Sequence, residues 1–374
     1  MWRLYLSGVL GMAVLAFGCG DEGGSTPDAA LADGGPSDGG PPVPVDAQPA
    51  AFDATFMRAG DPPMHPQDDT LRLNHIQMEG THNSYHKVPD PVIPDWNYDN
   101  EPLDEQLESQ GVRAFELDIL WDRRRLRWRV VHIPTIDEET TCDLLLECLA
   151  TIRGWSDGHP GHHPIFVQIE PKGDAFPDGA EGDERFEILD DEIRSIFGDE
   201  LLVLPDAVQG DAATLREQLT SGEGWPTLGE VRGKTLFFLN CGRNTCVRYA
   251  NDGEGLAGRV IFADARNDDP WASVRVINGG GSSATVAVEA GFIVRSRAIS
   301  MPGALEQSEA ELQAELDSVL ASGAHIISTD VPEPREDVAL HVEMPGGSPT
   351  RCNPVSAPGE CTAAAIEDPA LLVP

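Results

Sequence analysis

Residues 113–119 read RAFELDI. Ala114, Phe115, Leu117 and Ile119 suit a buried strand, yet Glu116 and Asp118 interrupt them. Side chains two apart on a strand point to one face. Both carboxylates therefore enter an apolar strand on the same side, which is costly unless a cation or base compensates. Seven similar short runs accompany this one: HIQMEG (75–80), WRVVHI (128–133), PIFVQIE (164–170), KTLFFLN (234–240), RVIFADA (259–265), GFIVRSRA (291–298) and AHIISTD (324–330). Several are β-branched or aromatic and bounded by Gly, Pro or Asp, as strands are. Helical spacing appears between many of them. Leu145, Leu149, Ile152 and Trp155 share a face in TCDLLLECLATIRGW, ERFEILDDEIRSIFG has the same period, and Leu305, Leu312, Leu316 and Val319 align in ALEQSEAELQAELDSVLASG. Repeated β-then-α units predict parallel strands with crossover helices. Eight of them in this length predict an α/β fold, a TIM-type (β/α)8 barrel.

Polar residues gather where the early strands end. Gly80-Thr81-His82-Asn83-Ser84-Tyr85-His86 follows the first strand, His132 ends the third, and Gln168-Ile169-Glu170-Pro171-Lys172 ends the fourth. In a β/α barrel such ends form one mouth, where active sites sit. Asn and carboxylate oxygens suit a hard cation, Ca²⁺ or Mg²⁺, more than zinc. Two imidazoles beside it suit acid–base work on a phosphate ester. A lone strand-end His is more often structural and a lone Glu-x-Asp more often solvated; the four elements in strand order point to a site. His86 is expected to support it. His159, His162 and His163 in GHPGHHP are expected in a solvated loop, and Asp264, Arg266 and Asp330 in salt bridges or caps.

The chain ahead of the barrel has another character. A basic start, an apolar run from Leu4 to Phe17 and then Gly18-Cys19 have the anatomy of a lipoprotein signal peptide, residues 1–18, ahead of a lipidated Cys19. Gly20–Pro66 holds 8 Gly, 9 Pro and eight acids against one base, Arg58. Such a segment cannot bury enough apolar surface to offset its ordering entropy. Residues 19–67 are thus expected to be a lipidated, disordered tether and 68–374 one catalytic domain, a monomer held at the outer membrane or cell surface, or on the periplasmic side. The whole chain carries 26 Lys+Arg against 63 Asp+Glu, a net charge of −37, which excludes nucleic acid as a partner. Apart from Cys19, the cysteines form three close pairs, Cys142/Cys148, Cys241/Cys246 and Cys352/Cys361. None has CxxC spacing and no His lies near them in sequence, so local disulfides are expected rather than zinc.

Taken together, EGTHNSYH, GVRAFELDI, VVHIP and VQIEPK resemble the phosphoinositide-specific phospholipase C superfamily of the X-domain type, and are most similar to its secreted bacterial calcium-dependent branch. The resemblance spans roughly residues 73–361, closing on STDVPEP and RCNPVSAPGEC. It implies a TIM-type barrel, paired histidines at His82 and His132, Ca²⁺ ligands at Asn83, Glu116, Asp118 and Glu170, and a phosphate- or inositol-contacting Lys172. A headgroup-binding arginine is expected late in the barrel, at Arg295 or Arg297. The implied reaction is calcium-dependent cleavage of phosphatidylinositol or a related membrane inositol phospholipid. The inositol 2-hydroxyl attacks phosphorus, giving cyclic inositol phosphate and diacylglycerol. His132 would protonate the leaving oxygen; His82 would stabilise the phosphorane or act as base. Against that resemblance, neither an X/Y split nor a C2- or PH-like module is expected from these residues. Glycerophosphodiester phosphodiesterases and sphingomyelinase-D-like enzymes share a His…Glu-x-Asp…His layout, but prefer an HRG-like opening to THNSYH. A non-catalytic lipid- or glycan-binding lipoprotein would not need both histidines and all four ligands.

Overall fold

The computed structural model describes residues 52, 54–62, 65–346 and 349–367; the expected signal segment and Cys19 lie outside the described residues. Among these residues the strands run, in chain order, β1 Ile76–Thr81, β2 Ala114–Asp122, β3 Arg127–Val130, β4 Ile165–Pro171, β5 Thr235–Leu239, β6 Phe262–Ala263, β7 Val274–Val276, β8 Ile293–Arg297, β9 Ile326–Thr329 and β10 Thr350–Cys352. All but β3 and β10 are parallel and follow one another around a barrel as β1–β2–β4–β5–β6–β7–β8–β9. β9 returns to β1 from Met78–Ile326 to Thr81–Thr329. A single bridge, Asp264 to Val274, joins β6 to β7. The expected (β/α)8 architecture is thus present.

The strands form where unbroken apolar runs can be covered on both faces. In β4, Ile165, Phe166, Val167 and Ile169 are all buried. Helices lie between the strands: α1 Leu103–Glu108 after β1, α2 Leu145–Gly158 before β4 and α3 Ala180–Phe197 after it. Three short helices precede β5: α4 Pro205–Gln209, α5 Leu215–Ser221 and α6 Leu228–Val231. Then α7 Arg243–Tyr249, α8 Gly281–Glu289 and α9 Glu309–Ala321 precede β6, β8 and β9. In α2 the predicted face of Leu145, Leu149, Ile152 and Trp155 is buried.

Three sequence expectations change. WRVVHI is not a barrel strand: β3 is a hairpin partner, antiparallel to β2, with Ile119 opposite Val130 and Asp122 opposite Arg127. Too few residues separate β2 from β3 for the crossover that a parallel pair needs. The ring takes its remaining strand instead from Val274–Val276, a short run reached from β6 without an intervening helix. Finally, α9 starts at Glu309, capped by a reciprocal Ser308–Glu311 box. Leu305 therefore lies outside the helix and is exposed, while Leu312, Leu316 and Val319 are buried.

Register decides which side chains face the barrel interior. Gly80 pairs with Ala114 and Ser328, Glu116 with Gln168, Asp118 with Glu170, and Arg297 with Ser328. Paired residues of neighbouring strands share a face. Glu116, Asp118, Glu170, Arg295 and Arg297 therefore belong to one surface, and the contact between Arg295 and Glu116 across it identifies that surface as the interior. Gly80 is the close approach in this wall. A Cβ there would lie 2.9 Å from the Ala114 Cβ and 3.0 Å from the Ile326 Cγ2.

All three cysteine pairs are disulfides, Cys142–Cys148, Cys241–Cys246 and Cys352–Cys361. Each closes a short loop rather than joining distant strands, and Cys241 borders a cavity beside Glu170. Within the expected linker, the Ala59 amide donates to the Asp157 carbonyl at 2.7 Å, and Arg153 stacks over the Phe56 ring.

Candidate active site and metal centre

Where β2 runs beside the C-terminal end of β4, one oxygen each of Glu116, Asp118 and Glu170 fall within 4.8 Å of one another. Glu116 and Asp118 are buried and Glu170 is half-buried. The three carboxyls are electrostatically unequal. Burial raises Asp118 to about 7, against the pull of Lys172. Burial also raises Glu116, against the pull of Arg295. Glu170 feels the same burial, but Lys172 and the Asn240 amide outweigh it and hold Glu170 at about 2. Lys172 Nζ lies 2.5 Å from Glu170 Oε1 and 2.9 Å from Asp118 Oδ2. Asn240 Nδ2 donates to Glu170 Oε2 at 2.8 Å.

Asn83 stands at the start of the turn after β1, with φ of 42°, a left-handed conformation that Asn tolerates better than most residues. Ser84 ties this turn to β2: its amide donates to the Glu116 carbonyl at 3.0 Å, and its hydroxyl accepts from the Glu116 amide at 2.8 Å. Asn83 Nδ2 donates to the Tyr98 hydroxyl at 3.0 Å. Asn83 Oδ1 is buried without a hydrogen bond, and neither oxygen of Asp118 has an aligned one beyond the ion pair with Lys172. Buried acceptors of that kind are costly, and an all-oxygen set of one amide and three carboxylates is what Ca²⁺ or Mg²⁺ takes. The residues fit a hard cation.

His82 leaves β1 on the same side. Its Nδ1 is 2.6 Å from Asp330 Oδ1, and Arg297 Nη1 donates to its Nε2 at 2.7 Å. A carboxylate only accepts and a guanidinium only donates. His82 is therefore a neutral ring with its proton on Nδ1 and its lone pair on Nε2, 3.8 Å from Glu116 Oε1. Burial would raise Asp330, but His82, Arg297 and the Met301 amide outweigh it and hold the carboxyl below the usual range.

His132 reaches the site by another route. The Val131 amide donates to the Asp118 carbonyl at 3.1 Å, which sets His132 beside the end of β2. Its Nδ1 lies 2.8 Å from Asp137 Oδ2, and the edge of Trp96 packs against its ring with centroids 5.2 Å apart. Asp137 also meets His86 Nε2, at 2.9 and 3.1 Å. The segment carrying Asp137 is fastened to the turn after β1: the Thr141 amide donates to the Tyr85 carbonyl at 2.8 Å.

The structure brings His82, Asn83, Glu116, Asp118, Glu170, Lys172, Arg295 and Arg297 into one network. His132 joins it through Asp137, His86 and Tyr98. Lys172 contacts two candidate metal ligands, Arg295 contacts Glu116, Ser328 and Asn278, and Arg297 contacts His82. One expectation is corrected. His162 and His163 are fully buried, not in a solvated loop. His162 Nε2 meets the Ser156 hydroxyl at 2.7 Å, His163 meets Thr350, and burial pushes both rings down, His162 to about 3. Asp330 forms the expected ion pair, with His82 as its partner, and also accepts from the Met301 amide. Asp137 was not singled out from the sequence; a carboxylate five residues past His132 was the available signal. A cavity of about 400 Å³ opens beside Glu170 and Asn240, rimmed by Asp174, Phe176 and Thr245. Another, of about 240 Å³, lies beside Tyr98 and Asp330.

The chain matches the family model of Ca²⁺-dependent phosphoinositide phospholipase C over residues 71–129 and 125–354. Among solved structures it is similar to a calcium-dependent phosphoinositol-specific phospholipase C from a Gram-negative bacterium, Pseudomonas sp. The two are 22% identical with a TM-score of 0.55, over 77% of this chain and 98% of that one. It is also similar to a Ca²⁺-dependent phosphatidylinositol-specific phospholipase C from Streptomyces antibioticus, 24% identical with a TM-score of 0.51, over 70% of this chain and 95% of that one. These two likenesses establish the fold. No curated protein matches the chain.

Proposed function

The chain belongs to the Ca²⁺-dependent phosphoinositide phospholipase C family, and on that premise we propose that it cleaves phosphatidylinositol or a closely related inositol phospholipid to a cyclic inositol phosphate and diacylglycerol. The observation that carries the reading is the oriented His82, neutral between Asp330 and Arg297 and beside three carboxylates. Such a ring is ready to take a proton.

Asn83, Glu116, Asp118 and Glu170 would hold the cation. When bound, Ca²⁺ supplies positive charge for a phosphate oxygen and lowers the pKa of the neighbouring inositol hydroxyl. His82 Nε2 accepts the proton of the 2-hydroxyl, whose oxygen attacks phosphorus in line. Asp330 holds the ring in the tautomer this needs and steadies the imidazolium that forms. Arg297, already against Nε2, moves onto the phosphoryl oxygens as the proton arrives, where its fork suits phosphate. His132, with Nδ1 bound to Asp137, delivers its Nε2 proton to the departing diacylglycerol oxygen. Lys172 and Arg295 support the carboxylates, and Lys172 turns to the phosphate when a cation takes its place.

The reading includes an exported lipoprotein: Cys19 lipidated, residues 19–67 a tether, and a monomeric catalytic domain from residue 68 acting at a membrane surface. The signal-like start and the Gly/Pro composition support it. Among the described residues no helix is long and apolar enough to cross a membrane.

Incubation with a panel of phosphatidylinositol, glycosylated anchor lipid and soluble inositol phosphodiesters, with and without chelator, tests the proposal by phosphorus NMR. A cyclic phosphate signal that requires calcium is expected. Hydrolysis to a linear monophosphate only, or no turnover of any inositol substrate, overturns it.

A further inference from the structure

We infer that His86 and Asp137 form one positioning unit, a fixed imidazolium–carboxylate pair that aims His132 while leaving it a good acid. The inference rests on the reading of His132 as proton donor to the leaving group.

The protons can be counted from the contacts. His86 and Asp137 are fully buried. His86 Nδ1 lies 2.9 Å from the Tyr98 carbonyl, which only accepts, so Nδ1 carries a proton. His86 Nε2 lies 2.9 Å from Asp137 Oδ2 and 3.1 Å from Oδ1. Burial pushes the Asp137 carboxyl up, but the bonds from His132 and His86 outweigh it and hold it below the usual range. Asp137 is therefore an acceptor as well, and His86 Nε2 carries the second proton. The same rule that makes His82 neutral, with a guanidinium at Nε2, makes His86 a cation. Tyr98 stacks on the His86 ring, with centroids 4.4 Å apart and planes 26° apart, a face an imidazolium favours.

Asp137 Oδ2 is shared: His86 Nε2 and His132 Nδ1 both donate to it. A bare carboxylate behind an imidazole orients the ring but also tightens its hold on the proton, because opposite charge favours the charged form. A base benefits from that and an acid does not. Here the carboxylate is already neutralised by His86, so His132 receives the orientation without the full charge. The base, His82, has its own carboxylate in Asp330 without a second histidine on it among the contacts described. Asp330 feels the Arg297 cation, but that cation sits against Nε2 of His82 itself, whereas His86 bonds to the Asp137 carboxylate behind His132; the two histidines thus differ in what backs them.

The test uses the full chain. Histidine-labelled protein is read by ¹⁵N NMR at neutral pH, without substrate, and the His86 signals are assigned by their loss in His86→Gln. Two protonated ring nitrogens at His86 are expected; a neutral tautomer overturns the inference. In kinetics, Asp137→Asn should lower kcat on phosphatidylinositol about 10²-fold, the low end of what a positioned acid supplies, with KM unchanged. It should leave an activated aryl phosphodiester near the wild-type rate. His86→Gln keeps a donor towards Asp137 but loses the charge, and should show the same split at smaller size. Equal losses on both substrates, in variants whose circular dichroism melts are intact, overturn the positioning role. A wild type inactive on every inositol lipid overturns the phospholipase reading and the acid role with it, while the spectrum still decides the charged pair.

Discussion

Arg297 donates to Nε2 of His82 at 2.7 Å, the nitrogen opposite the one that Asp330 holds. A cation against the lone pair of a base keeps that base unprotonated until substrate arrives. The contacts match the roles proposed for the two histidines: His82 as acceptor at Nε2, and His132 as donor, held at Nδ1 by Asp137.

His82→Ala and His132→Ala should each cut turnover of phosphatidylinositol by about 10²–10⁴-fold. They should part company on an activated aryl phosphodiester, whose leaving oxygen needs no proton. His132→Ala should recover most of the rate there and His82→Ala should not. Neither should change calcium affinity by titration calorimetry, since the proposed ligands are oxygens. Equal rescue of both variants would reverse or abolish the assignment.

Chelation should abolish activity and leave the barrel folded. Glu116, Asp118 and Glu170 join β2 to β4, so calcium should raise the melting temperature in proportion to ln(1 + [Ca²⁺]/Kd). Scanning calorimetry over a calcium series checks this; a melting temperature indifferent to calcium would refute binding at a folded site.

The pH dependence follows from Asp118, held at about 7 by burial. A carboxyl raised in the fold is easier to keep protonated there than in the unfolded chain. Without calcium, its ionisation therefore costs stability as pH rises from about 4 through about 7. Calcium reverses the cost, because a ligand must be ionised. Apparent calcium affinity should thus fall by about tenfold per unit below pH ~7, with proton release on binding. Buffers of different ionisation enthalpy measure that release, and none detected at pH 6 would contradict the protonated Asp118.

Lys172→Met should destabilise the calcium-free protein by about 2 kcal/mol, below the range for a fully buried pair because Lys172 is partly exposed. The loss arises because Asp118 and Glu170 would face each other without a cation. Calcium should restore most of it. Melts with and without calcium check the prediction, and an equal loss in both would mean that Lys172 serves only packing.

Much of this site was legible one strand at a time. Glu116 and Asp118 stood out because two carboxylates in an apolar run need compensation, and the structure supplies Arg295 and Lys172. The three disulfides were legible because their partners are close in sequence. What escaped was set by pairing between distant segments. Asp330 looked like any strand-end acid, since its partner His82 is 248 residues away. WRVVHI had the apolar pattern of a barrel strand, and only its closeness to β2 marked it as a hairpin. Val274–Val276 is a strand because β8 and Asp264 lie beside it, not because three residues announce one. His162 and His163 sat in a Gly/Pro loop whose burial depends on Thr350 and Glu367, near the other end of the chain.

One consequence of the hairpin concerns stiffness. His82 and Asp330 extend from β1 and β9, staves gripped on both edges, whereas the segment that leads to His132 leaves the barrel on a hairpin off β2, is tied back to the turn after β1 by the Thr141–Tyr85 bond, and is strapped by Cys142–Cys148. The two halves of the reaction therefore ride on parts of unequal compliance. Warming short of the melt, or cutting the strap with a reductant, should loosen the acid first. The enzyme would then pass through a state that still turns over an activated ester and has lost its natural lipid.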